Sequence, residues 1–226
     1  MMDIAARASS IGSLADETRR ALYEYVVAQP DAVGREAAAD AVGVPVHMAR
    51  FHLDKLVEAG LLATEFRRLT GRSGPGAGRP SKLYRRTEAT VSVSLPERRY
   101  DLVGHLLALA IERAGEGVAP EAALQKVAHD EGLRTAASVD VAPGLDELSR
   151  AADALAGHGF EPRSEDAALV LANCPFDSLA REHTAVVCAA NHAFVGGLLD
   201  GLGCEHLTAH AEPHDGRCCV TVRQAD

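Results

Sequence analysis

The hydrophobic pattern divides the chain into a helical front, a helical middle and a mixed back. In LADETRRALYEYVVA, residues 14 to 28, apolar positions recur at helical spacing and the run stops before Pro30, which predicts a first helix. GREAAADAVGVPVHMARFHLDKLVEAGLL then reads as helix, tight turn and helix. The first member runs from about Arg35 to Val42, Gly43 supplies the turn, Pro45 opens the second helix and Gly60 closes it. At about 100° per residue, Ala49, Leu53, Leu56 and Val57 form a stripe for burial. His47, Met48, Phe51, Asp54 and Lys55 point away from it, with Arg50 and His52 at its edges.

Two short strands follow, about Leu62 to Leu69 and Lys82 to Arg86, flanking TGRSGPGAGRP, whose glycines and prolines suit a hairpin tip. Helix-turn-helix plus hairpin predicts a winged helix-turn-helix domain over residues 1–95. In RYDLVGHLLALAIERA, Leu102, Leu106, Leu107, Leu109, Ala110 and Ile111 make an apolar face wide enough for the domain's own core and for a second copy. Residues 96–140 are therefore expected to be a helical linker and dimerisation region of a homodimer. PEAALQKVAHDEGL and LDELSRAADALAGHG read as further helices. After Phe160 come two strands, FEPRSE and AALVLANCPF, a long helix from about Leu179 to Leu202, and a closing hairpin, HLTAHAEPHDGRCCVTVRQ. The expected fold class is α+β, ending in a small α/β sensor domain over residues 141–226.

Composition adds bounds. With 47% hydrophobic, 24% charged and 4% aromatic residues among 226, the chain fits a soluble globular protein. No apolar run reaches the roughly 18 residues a membrane span needs. MMDIAARASSIGS lacks the basic-then-apolar layout of a signal peptide, so a cytoplasmic location is expected. The net charge of -9 conceals an asymmetry: residues 1–100 carry 15 Lys+Arg against 12 Asp+Glu, and the remainder 8 against 20.

From Arg67 to Arg86 there are seven basic residues and no acidic one, a density suited to a polyanion. An outward Phe51 among His, Lys and Arg is wasteful unless that face meets something. The expected partner is a double-stranded DNA operator. His47, Met48, Arg50 and Phe51 are candidates for base edges, Phe51 through a thymine methyl. Lys55 is the candidate for a phosphate, Lys82 adds to the basic strand, and Arg72 and Arg79 on the hairpin tip suit a narrow minor groove.

All five cysteines, Cys174, Cys188, Cys204, Cys218 and Cys219, lie after residue 173. In a reducing cytosol such a cluster suits metal ligands or reactive thiols better than disulfides. The first four are separated by 14, 16 and 14 positions, unlike the C-x2-C pairs of zinc ribbons, so they would converge from different elements. Alternation along a last strand would send only one of Cys218 and Cys219 to a site shared with Cys174. Thiolates suit zinc and iron-sulfur clusters alike, while Cys204 and Cys219 also fit as small buried hydrophobes. A Cys-dependent enzyme, with Cys174 or Cys188 activated by His183 or His192, lacks a Gly-rich oxyanion motif or an acidic orienter, so the chain is not expected to be an enzyme. A pocket for an organic ligand is a further alternative.

The stretch from Ile11 to Thr87, above all MARFHLDKLVEAGLL with GPGAGRPSKLYRR, resembles the winged-helix domains of ArsR-like bacterial transcriptional regulators. The ArsR metal sensors proper carry a metal-binding Cys-x-Cys in that domain; here no cysteine precedes Cys174, which leaves sensing to the C-terminal half. There NCPF, VC 14 positions later and GRCCV are similar to the C-terminal region of the Suf-operon repressors. The resemblance implies a repressor of cluster-assembly genes that holds an iron-sulfur cluster, 4Fe-4S or 2Fe-2S, and represses when loaded. Such a protein would sense redox, nitric oxide or iron status. Carried over, the implied ligands are Cys174, Cys188 and Cys218, with Cys204 near the position of a further cysteine. The spacings here are a residue or two longer than the family pattern, so the fourth position stands between Cys204 and His183. Zinc is the alternative occupant.

Overall fold

The computed structural model describes residues 4–68, 80–140, 142–166, 168–214 and 216–225, which divide into two units, Met1–Val93 and Ser94–Asp226. The first begins with α1 (Ile4–Gly12), a 3-10 turn (Ser13–Ala15) and α2 (Glu17–Val27). The helix expected from Leu14 starts three residues later, because Asp16 takes an extended backbone and accepts a hydrogen bond from Arg19 N, acting as an N-cap. β1 (Val33–Gly34), α3 (Arg35–Val42), α4 (Val46–Glu58), β2 (Leu62–Arg67) and β3 (Ser81–Arg86) follow.

Gly43, at φ +73°, joins α3 to α4 through a left-handed turn that a side chain would strain. The three strands are antiparallel in the order β1-β3-β2. Ala38, Ala39, Ala49, Leu53, Leu56, Leu22 and Tyr84 are buried together, the alanines letting α3 and α4 approach closely. His52, placed by helical phase at the edge of the α4 stripe, is buried. Its Nδ1 accepts from Arg19 Nε at 3.4 Å and lies 3.8 Å from Asp16 Oδ1.

The second unit holds α5 (Tyr100–Ala114), α6 (Pro120–Ala136), α7 (Glu147–Ala156), β4 (Pro162–Glu165), β5 (Ala168–Leu171), α8 (Asp177–Glu182), α9 (Thr184–Gly201), β6 (Leu207–Ala211) and β7 (Val220–Gln224). Its sheet is antiparallel throughout, in the order β4-β5-β7-β6. α5 and α6 are part of this unit's core: Leu102, Leu106, Leu124 and Val127 bury with Phe194, Leu198 and Val222 of α9 and the sheet.

α6 and α9 pack backbone against backbone. A Cβ on Gly197 would stand 2.0 Å from the His129 carbonyl oxygen, and one on Gly132 would stand 2.2 Å from that of Phe194. The single long helix expected from Leu179 is interrupted at His183 (φ -129°, ψ 47°), which separates α8 from α9. Asp146 caps α7 by accepting from Ser149 N. Among the described residues no helix is long and apolar enough to cross a membrane.

Candidate cysteine cavity and nucleic-acid interface

Four cysteines line one cavity of about 900 Å³ in the second unit: Cys174, Cys188, Cys218 and Cys219. Cys174 lies three residues beyond β5, in a loop whose carbonyl at Cys174 accepts from Asp177 N as α8 begins. Cys188 is on the second turn of α9. Cys218 and Cys219 occupy the turn that leads into β7, which starts only at Val220. The alternation expected to turn one of them away therefore does not operate. Cys218 N donates to Leu171 O at 2.9 Å and Cys219 O accepts from Glu212 N at 2.7 Å. Anchored to two different strands' ends, both side chains reach the cavity.

The thiols act on one another's titration: Cys174 with Cys218, Cys218 with Cys219, and Cys219 with Cys188. For Cys174, the hydrogen bond to Cys218 and then burial push the thiol well above its ordinary range. For Cys218, the bond to Cys174 acts downward, but the bond to Cys219 and burial outweigh it, and the thiol is pushed up to about 11. Burial likewise raises Cys188. The Asn191 amide donates to Cys218 Sγ at 3.1 Å.

Cys204 and His183, the two candidates for a fourth position, are placed elsewhere. The Cys204 thiol is directed to the Glu147 carbonyl oxygen at 3.7 Å, at the start of α7. His183 is exposed at the α8–α9 junction and neither residue lines the cavity. Among the described residues, no three His, Cys, Asp or Glu side chains are grouped to hold a single metal ion.

The charged lining of the cavity is Arg98, Arg181, Arg217 and Asp177, a local excess of positive charge in the acidic half of the chain. Arg98 also ties the first residues of the unit to the Cys174 loop. Its Nη1 donates to Asn173 Oδ1 and, at 3.0 Å, to Cys174 O, and its Nη2 lies 3.7 Å from Asp177 Oδ2. Asn173 Nδ2 donates to Glu97 O at 3.1 Å and Gly159 O at 2.6 Å, and Arg99 N donates to Pro175 O at 3.0 Å. The periodicity of the sequence gave no signal for Arg98, Asn173 or Asn191, since each acts through partners distant in the chain.

In the first unit, α4 presents His47, Met48, Arg50 and Phe51 outward, Phe51 with 55% of its surface exposed. Asp54 on the same helix holds β3: its Oδ1 accepts from Tyr84 Oη at 2.8 Å and from Lys82 Nζ at 2.6 Å. The Lys82 ammonium also stands 5.2 Å from the centroid of the Tyr84 ring. Burial pushes the Asp54 carboxyl up, but hydrogen bonds from Lys82 and Tyr84, and the charges of Lys82 and Arg50, outweigh it and leave it below the ordinary carboxylate value. Residues 14–65 match the family model of a helix-turn-helix domain. The first unit contains a helix-turn-helix domain. No curated protein and no solved structure matches the chain.

A helix-turn-helix domain points to a DNA-binding regulator, and α4 is the second helix of the motif. Helical phase singled out His47, Met48 and Phe51 as outward; Arg50, placed at the edge of the stripe, is exposed too, while Asp54 and Lys55, expected outward, are half-buried. Lys55 carries an ion pair with Glu58 at 2.6 Å, and Lys82 is engaged by Asp54, so each is a cation already partnered within the domain. Arg72 and Arg79 lie outside the described residues. Phe66 on β2, paired in register with Lys82, is 67% exposed. It is a second outward aromatic of the first unit, legible in the sequence only as a Phe between Glu65 and Arg67.

Proposed function

We propose that this chain is a transcriptional repressor that reads a DNA operator through α4 and the β2–β3 pair and senses redox, nitric oxide or iron status through an iron-sulfur cluster held in the cysteine cavity. The observation that carries the reading is the gathering of four of the five cysteines onto one cavity, in a chain with a helix-turn-helix domain. The resemblance of NCPF, VC and GRCCV to the Suf-operon repressors supports the choice of cluster, and that of residues 11 to 87 to ArsR-like regulators supports the winged-helix assignment.

The donor type suits the group, since thiolates are what hold iron-sulfur clusters. Cys174, Cys188 and Cys218 come from three elements, and Cys219, rather than Cys204 or His183, supplies the fourth thiol at the cavity. A cluster with four thiolates is anionic, and the arginine-rich lining offsets that charge. A 4Fe-4S or 2Fe-2S cluster supplies one-electron redox chemistry and reactivity toward oxidants.

The chain's own residues supply the rest. Cys174 and its neighbours fix the end of β5 and the start of α8, Cys188 fixes α9, and the Cys218–Cys219 turn fixes β7. Arg98 and Asn173 connect the Cys174 loop to the segment that follows the DNA-binding unit, so a change in that loop is felt where the two units join in sequence. On α5, Gly104, Ala108 and Ile111 are exposed at helical spacing, a face that suits a second copy.

Anaerobic purification with assay of iron and sulfide, followed by a gel shift on selected operator DNA before and after cluster removal, tests the proposal. A brown protein with broad visible absorption and cluster-dependent DNA affinity supports it. Colourless protein with stoichiometric zinc, or DNA affinity indifferent to the cluster, overturns it.

A further inference from the structure

Asn191 is a polar side chain only 1% exposed, set in a core of leucines, valines and phenylalanines. It lies three residues after Cys188 on α9, so the two project from the same side of the helix. Its Nδ2 donates to Cys218 Sγ at 3.1 Å, while its Oδ1 is buried with no hydrogen-bond partner among the described residues. An apolar side chain of the same shape would pack here without leaving a buried carbonyl oxygen unpaired. The amide's position is thus costly for packing, and its one hydrogen bond is to a sulfur.

A neutral thiol is a weak acceptor. An anionic, metal-bound sulfur is a much stronger one, because a charged partner roughly doubles the strength of a hydrogen bond. We propose that Asn191 is a positioning residue that donates its amide N–H to the Cys218 sulfur in the metal-bound state and so sets the reduction potential of the bound cluster. The proposal rests on the cluster reading given above. Hydrogen bonds to cluster sulfurs are one of the protein's means of tuning potential. A donor aimed at the sulfur favours the more negative, reduced state and raises the potential.

Both ends of this bond are held in place. Gly197 and Gly132 fix α9 against α6 with no room for adjustment, and Cys218 N is bonded to Leu171 O. The donor therefore meets the sulfur at a distance set by the fold rather than by the side chain's own freedom.

The test uses the full chain, prepared anaerobically and reconstituted with ferrous iron and sulfide, as wild type, Asn191→Leu and Asn191→Ala. Both variants remove the donor, one filling the space and one leaving it open, so a shift common to both reports the hydrogen bond and not the packing. Wild-type iron and sulfide content with a lower reduction midpoint in both variants is the expected result. An unchanged or raised midpoint in both overturns the proposal. If neither variant folds, the wild type decides: the iron–sulfur(Cys) stretches should shift in deuterium oxide, and their failure to shift overturns it. Wild-type protein that takes up no iron or sulfide fails the cluster reading instead. Cobalt(II) then probes the same bond through its sulfur-to-metal charge-transfer band, which should move in both variants; an unmoved band, or no cobalt binding, overturns the role of Asn191.

Discussion

Asp54 of α4 accepts the hydroxyl of Tyr84 at 2.8 Å, joining the helix to the central strand of the small sheet. Lys82 donates to the same carboxylate oxygen, so one acidic residue of α4 fixes the geometry between helix and strand. Asp54→Ala should cost about 1–3 kcal/mol, since it leaves a buried tyrosine hydroxyl without its acceptor. Chemical denaturation of the wild type and variant measures this, and equal midpoints would show the bond to be idle.

The same contact predicts a dependence on acid. The Asp54 carboxyl titrates below its ordinary value in the folded chain, against about 3.9 unfolded. Its contribution is therefore present above the unfolded value and is lost as pH falls through the lower, folded one. Between pH 5 and pH 3 the wild type should lose more thermal stability than Asp54→Asn, which cannot titrate there. Other carboxyls held low, Asp16 and Glu36 among them, affect both proteins alike and cancel in the difference.

For DNA, Arg50 and Phe51 are the outward residues of α4 best placed to reach a groove. Arg50→Ala should weaken operator binding by about 1–3 kcal/mol, with relaxed discrimination at the base it reads. Lys55→Ala should act differently, reducing the slope of affinity against salt with little change in sequence preference. Gel shifts across a salt series separate the two, and indifference of both variants would remove α4 from the interface.

α4 was legible because glycine and proline punctuate it and one period governs its length. Gly43 and Gly60 bound it, and Phe51, Met48 and His47 fell outward as helical phase required. The break at His183 carried no such mark, for neither Gly nor Pro stands there. β1 is too short for a period to be read. The cysteine cavity was half legible: Cys174, Cys188 and Cys218 were singled out, but Cys219 was assigned by an alternation that applies only inside a strand, and β7 begins one residue too late for it. Asn191 depends on a partner 27 residues away, a relation local patterns do not encode.

Packing between α6 and α9 gives a prediction independent of any ligand. Gly197→Ala would place a methyl 2.0 Å from the His129 carbonyl oxygen, and backbone on both sides must move to admit it. Overpacking of this kind costs about 1–3 kcal/mol or more. The variant should therefore lower the melting temperature. Gly196→Ala is the control: a Cβ there meets nothing within 4 Å, and its melting temperature should not fall.

The cysteines themselves give the sharpest contrast. If the cavity holds the cluster, then Cys174→Ser, Cys188→Ser and Cys218→Ser should each lose most bound iron and sulfide, since removal of one thiolate opens an iron to solvent. Cys219→Ser should join them, because Cys219 lines the same cavity as the other three. Cys204→Ser and His183→Ala should retain the cluster: Cys204 is occupied with the Glu147 carbonyl, and His183 stands exposed outside the cavity lining. Circular dichroism must show each variant folded, and the first unit, which contains no cysteine, should bind non-specific DNA in all of them. Full retention in Cys219→Ser with loss in Cys204→Ser would return the fourth position to Cys204 and require α7 and the turn after α9 to move toward the cavity when the cluster binds.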